Sequence, residues 1–88
     1  MGKDKFSHVE DIVKKIIADV LCVEKDKVKD NSLLKKDLGA DYLDISVIQM
    51  DVEETFGIMI PDKDIADKNK VSEIIDYIKG KISAPVSR

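Results

Sequence analysis

The sequence predicts a small all-α fold, a bundle with a long loop between its first and second helices. Three observations carry this. Apolar residues recur at helical spacing in three separate segments, and no strand-like alternation competes with them. Two Phe, two Tyr and no Trp leave a core of Ile, Val and Leu, which suits a compact bundle better than an aromatic-rich sandwich. With 88 residues the chain has room for one domain, assigned to 1–82, and too little for a second core or a large catalytic cleft.

The first helix is expected from about residue 8 to 21. Ser7 offers a hydroxyl cap with Glu10 three residues on, and Val9, Ile12, Val13, Ile16, Ile17 and Val20 form one stripe. Residues 22–40 mix charges with isolated Val28, Leu33, Leu34 and Leu38 and hold no sustained period, so they read as a long loop pinned by a few apolar anchors. A second helix is expected from about 42 to 56. Asp41 and Asp44 suit its electropositive start, and Gly57 closes it. Pro61 belongs in a turn or at a first helical position, leaving Ile65 and Ala66 for a third helix of two turns at most. Val71, Ile74, Ile75, Ile78 and Ile82 form the last stripe, with Ser72 as its cap and Gly80 as the site of fraying or termination. The tail SAPVSR, 83–88, is expected to be disordered.

The second helix carries two apolar stripes. At about 100° per residue, Ile45, Ile48, Val52 and Phe56 share one side, while Leu43, Val47 and Met50 share nearly the opposite one. A helix apolar on two sides is either buried on both or offers one to a partner. The acids favour the second reading. Asp44 and Asp51 flank the Leu43/Val47/Met50 stripe on one edge and Glu53 on the other, while Glu54 lies within it, and unpaired buried acids are costly. Residues 41–67 contain eight acids against one base, Lys63, a net charge of −7 within a chain whose total is −3. Such a field steers basic protein partners, and Met50 adapts to more than one of their surfaces.

The same balance excludes other classes. An acidic chain repels a phosphate backbone or an anionic membrane, and no apolar run has the length of a membrane span. A single cysteine, Cys22, rules out an intrachain disulfide or a thiol zinc site, makes reducing cytosol the natural compartment, and reads as a small packed residue. His8 is the lone histidine and reads as a first-turn helix residue without a catalytic neighbour. Asp62, Asp64 and Glu73 have calcium-loop spacing, but Asp67 occupies the place that needs Gly and Ala66 lacks a ligand oxygen. No metal site and no catalytic residue are expected.

The run LGADYLDISVIQMDVEETFGIMIPD, residues 38–62, closely resembles the signature of acyl carrier proteins, and IIDYIKGK resembles their last helix. The family pattern is Leu-Gly-Ala-Asp-Ser-Leu-Asp, then Glu-Glu-x-Phe, then Ile-Pro-Asp. Here it reads Leu38, Gly39, Ala40, Asp41, Tyr42, Leu43, Asp44, then Glu53, Glu54, Phe56, and Ile60, Pro61, Asp62. The resemblance implies a four-helix bundle of acyl-carrier type, not an enzyme, that carries acyl chains on a 4′-phosphopantetheine arm in fatty-acid or related lipid biosynthesis. It implies partner contacts through Asp41, Leu43, Asp44, Met50, Glu53, Glu54, Ile60 and Asp62, which Val47 joins from the apolar stripe alone, made by a monomer with basic surfaces of biosynthetic enzymes and of the phosphopantetheinyl transferase. Val47 departs from the pattern, which more often has an acid there, as does Asp51, which replaces an apolar or small residue.

Tyr42 is the larger departure, because it stands where the family has the serine that bears the arm. A tyrosine hydroxyl is held roughly 4 Å farther from Cα than a serine hydroxyl, and phosphoryl transfer depends on in-line placement of the nucleophile. A transferase shaped for serine is therefore expected to fail on Tyr42 and leave the chain without the arm. Ser46 lies one turn further inside the helix and is no substitute. Tyr42 marks a natural carrier-like protein that binds partners without an arm, an introduced replacement that holds the apo form, or a carrier using unusual chemistry. The rival to the carrier reading is a non-carrier interaction module that uses this fold to dock on a basic partner.

Overall fold

The computed structural model describes residues 5–83, which form four helices. Helix α1 (Lys5–Leu21) buries Val9, Val13, Ile17 and Ala18 and packs against the second and fourth helices. It begins upstream of Ser7, so Ser7 lies within the helix and the expected Ser7/Glu10 cap is not its start. Glu10 is used elsewhere: it accepts from Lys79 Nζ at 2.9 Å, joining α1 to the last helix.

The exit from α1 explains Cys22. Its φ of 58° is left-handed. The Cys22 N–H donates to Asp19 O at 3.4 Å, and the Val23 N–H donates to Ala18 O at 3.0 Å. This is the hydrogen-bond pattern of a Schellman ending, with cysteine in the place usually held by glycine. The backbone reversal turns Cys22 outward, so it is exposed and not the packed residue its neighbours suggest.

Residues 22–41 form the long connection, interrupted by one 3-10 turn, Lys25–Lys27. Val28 and Leu34 are its buried anchors. Backbone bonds hold it beside these apolar anchors. Leu34 N–H donates to Asn69 O at 2.8 Å, Val71 N–H to Ser32 O at 3.0 Å and Ser72 N–H to Asp30 O at 2.9 Å. The loop thus supplies acceptors for the unpaired amides that begin the last helix. Ser32 is buried yet satisfied, since its Oγ accepts from Lys29 N–H at 3.0 Å and donates to Lys27 O at 3.3 Å.

Helix α2 (Tyr42–Phe56) has the expected bounds. Asp41 accepts from Asp44 N–H at 2.9 Å and Asp44 accepts from Asp41 N–H at 3.2 Å, a reciprocal cap made by two acids. Gly57 ends the helix at φ 67°, a conformation that costs an L-residue energy. Helix α3 (Asp62–Ala66) follows Pro61 at the cap position and buries only Ile65.

Helix α4 (Val71–Ser83) starts one residue before Ser72, which is therefore not its cap. Glu73 takes that role, accepting from Asn69 N–H at 3.1 Å and Lys70 N–H at 3.3 Å. These two bonds hold its carboxyl below the usual range. Gly80 does not terminate the helix, which continues to Ser83 with Ile82 packed on the core. Ser83, the first residue of the expected tail, is the last residue of α4, and the rest of that tail, 84–88, lies outside the described residues.

Candidate functional site

The two stripes of α2 separate cleanly. Ile48 and Val52 are buried, with Ile45 and Phe56 packed beside them. Leu43 (69% exposed), Val47 (44%) and Met50 (58%) face solvent. The stripe faces solvent as the placement of the acids led one to expect, since burying Leu43, Val47 and Met50 would have buried Glu54 with them.

Tyr42, the first residue of α2, is 80% exposed. It borders a cleft of about 390 Å³ between α2 and α3, whose walls include Ile45, Ser46, Gln49, Asp62 and Ile65. Apolar Ile45 and Ile65 lie among groups able to hydrogen-bond, with Lys35 and Lys68 also lining it.

Two side chains of α2 fix the segment that leads to α3. Glu53 Oε2 accepts from Ile60 N–H at 2.8 Å. Gln49 Nε2 donates to Ile60 O at 2.8 Å and to Asp62 Oδ1 at 3.0 Å. Both peptide groups of Ile60 are thereby tied to one flank of α2, and its side chain is 3% exposed. Ile60 is a core residue, which corrects its place in the expected contact surface. Its neighbour Met59, absent from that set, is 78% exposed. The missed signal was the extended alternation of Ile58, Met59 and Ile60, half-buried, exposed and buried in turn.

The acids do two kinds of work. Asp41 and Asp44 cap α2, and Glu53 holds Ile60. Glu54 and Asp62 are exposed, while Asp51 is half-buried. Asp64 and Glu73, from the calcium-like spacing, are engaged within the fold: Asp64 Oδ2 accepts from the Tyr77 hydroxyl at 2.6 Å, and Glu73 accepts from the amides before α4. Among the described residues no three His, Cys, Asp or Glu are grouped to hold a metal ion, and no helix is long and apolar enough to cross a membrane.

Tyr77 and Asp64 tie α3 to α4. Lys68 Nζ sits 5.0 Å above the Tyr77 ring and donates to Asp64 O at 3.1 Å, while Lys81 Nζ lies 5.7 Å from the same ring. Burial, then the hydrogen bond to the Asp64 carboxylate, push the Tyr77 hydroxyl up to about 12.

Comparison with known proteins agrees with this architecture. The sequence matches the family described as "Phosphopantetheine attachment site" over residues 11–78, a span that includes all of α2 and α3. It is 45% identical over 73 residues to the acyl carrier protein of Nitratidesulfovibrio vulgaris strain DP4, covering 83% of this chain and 96% of that protein. The acyl carrier protein of strain Hildenborough of the same species matches with the same identity and coverage. Members of this family carry 4′-phosphopantetheine and serve as carriers, not as enzymes. With four helices, one long connection and the family match running through them, the chain belongs to the acyl carrier protein family.

Proposed function

We propose that this protein is a cytoplasmic, monomeric carrier-type docking protein of fatty-acid or related lipid biosynthesis, and that Tyr42 leaves it without the arm. The observation that carries this reading is the residue at the start of α2: an exposed phenol in the register Asp41-Tyr42-Leu43-Asp44. The donor set does not fit the group. A rigid ring sets the hydroxyl roughly 4 Å beyond a serine's reach, and Ser46, the next hydroxyl along α2, is half-buried in the cleft wall.

Docking needs no arm. Leu43, Val47 and Met50 offer desolvatable contact, and Asp41, Asp44, Glu53, Glu54 and Asp62 place negative charge around them, supporting a partner with a basic surface. Such partners include biosynthetic enzymes and the phosphopantetheinyl transferase. Tyr42 is also compatible with an interaction module that has no acyl chemistry, and the proteins retained on the immobilised chain separate the two: synthases and acyltransferases for the first, unrelated regulators for the second.

The test of docking is a titration against a phosphopantetheinyl transferase at low and physiological salt. The expected result is binding that weakens with salt. Glu54→Lys should slow association more than it speeds dissociation. Undetectable or salt-independent binding would refute the docking surface.

A further inference from the structure

The large apolar side chains left exposed among the described residues are Tyr42, Leu43, Val47, Met50 and Met59, all within one stretch of chain. Two of the five are thioethers. Met50 continues the Leu43/Val47 stripe of α2. Met59 is brought to the same helix by Ile60, whose N–H and carbonyl are both bonded to α2, at Glu53 and Gln49. Ile60 is thus bonded to the turn of α2 that carries Met50, and Met59 is its neighbour in the chain. Neither side chain is buried in the core, so a change in its polarity leaves the packing of the bundle intact.

We propose that Met50 and Met59 form an oxidisable pair through which a peroxide weakens docking of α2 on a protein partner; the inference rests on the docking surface proposed above. The thioether sulfur attacks one peroxide oxygen. Its lone pair forms the S–O bond as the O–O bond breaks, and the departing hydroxide takes the remaining proton to leave as water. Sulfur is oxidised by two electrons and the peroxide is reduced. The sulfoxide replaces a flexible apolar contact with a polar, chiral group whose hydration must be removed on binding. Methionine sulfoxide reductases restore the thioether, which makes the change reversible.

The experiment uses the full chain carrying Cys22→Ser, because that exposed thiol also reacts with peroxide. The chain is treated with hydrogen peroxide, mapped by peptide mass spectrometry, and titrated against a phosphopantetheinyl transferase before and after. Met50 and Met59 should each gain one oxygen with the helical circular dichroism unchanged, and affinity should fall about tenfold. A Met50→Leu/Met59→Leu variant, nearly conservative in volume, should show the same affinity before and after peroxide, whatever its affinity in the untreated state. Equal affinity before and after oxidation overturns the proposal, as does resistance of both methionines to peroxide. Failure of the reduced chain to bind is a distinct result: it removes the docking surface itself, and the switch with it.

Discussion

Replacing Tyr77 with Phe deletes one hydroxyl and tests what holds α3. This helix has five residues and buries one side chain, Ile65, too little for an isolated helix to persist in water. Its main tether to α4 is the 2.6 Å bond from the Tyr77 hydroxyl to Asp64 Oδ2. Hydrogen bonds to charged groups contribute about 1.5–3 kcal/mol. Because this pair is partly open to solvent, which screens it, about 1–2 kcal/mol is the working figure. With a urea m-value of about 1 kcal/mol/M for a small domain, the midpoint of unfolding followed by circular dichroism should fall by about 1–2 M. The loss also has a pH signature. The folded hydroxyl titrates at about 12 against an ordinary value of 10.0, so its neutral form is favoured by folding. That stabilisation is complete below the unfolded value and is lost as pH rises through the folded one. The difference between the parent and Tyr77→Phe should therefore narrow between pH 10 and 12, while Asp64→Asn, which retains an acceptor oxygen, should fall between the two at pH 7. Equal midpoints for parent and Tyr77→Phe at pH 7, or a difference unchanged up to pH 12, would rule out the Tyr77–Asp64 bond as the tether of α3.

Two further pairs of substitutions separate structural from contact roles. Ile48→Ala, on the buried side of α2, should cost about 2–5 kcal/mol, whereas Leu43→Ala, on the exposed side, should change stability by less than about 0.5 kcal/mol while weakening partner binding; a large stability loss from Leu43→Ala would contradict the assignment of faces. Gly57→Ala forces an L-residue into φ 67° and should lower stability by about 1–2 kcal/mol. Gly80→Ala, in the interior of α4 with nothing within 4 Å of the added Cβ, should raise it by about 0.5–1 kcal/mol. Thermal midpoints check both signs, since 1 kcal/mol corresponds to about 4–8 °C in a domain of this size.

The parts of the fold set by local chemistry were legible in the sequence. Helix α2 has its expected bounds because Asp41, Asp44 and Gly57 act through bonds and dihedrals within a few residues of themselves. The helix ends governed by distant groups were not. Ser72 resembles a cap, but the amides at the start of α4 are satisfied by Ser32 O and Asp30 O from a loop some forty residues earlier in the chain. Gly80 resembles a terminator, but Ile78 and Ile82 pack on either side of it and carry the helix through. Cys22 shows the converse: a left-handed position was filled by a residue that does not advertise it. In the candidate site, charge placement identified the exposed face of α2, since unpaired acids resist burial. Ile60 and Met59 exchanged roles because their exposure depends on Glu53 and Gln49 holding the Ile60 backbone, a contact across seven and eleven residues that no periodicity encodes.

If this carrier fold is stopped from taking its arm by Tyr42 alone, intact mass will show it. The chain and its Tyr42→Ser variant are each incubated with coenzyme A and a broad-specificity phosphopantetheinyl transferase. Only Tyr42→Ser should gain the mass of one phosphopantetheine arm, with the chain itself unchanged. Loading of the chain at Tyr42 would contradict the reach argument, and failure of Tyr42→Ser to load would contradict the assignment of this position as the attachment site.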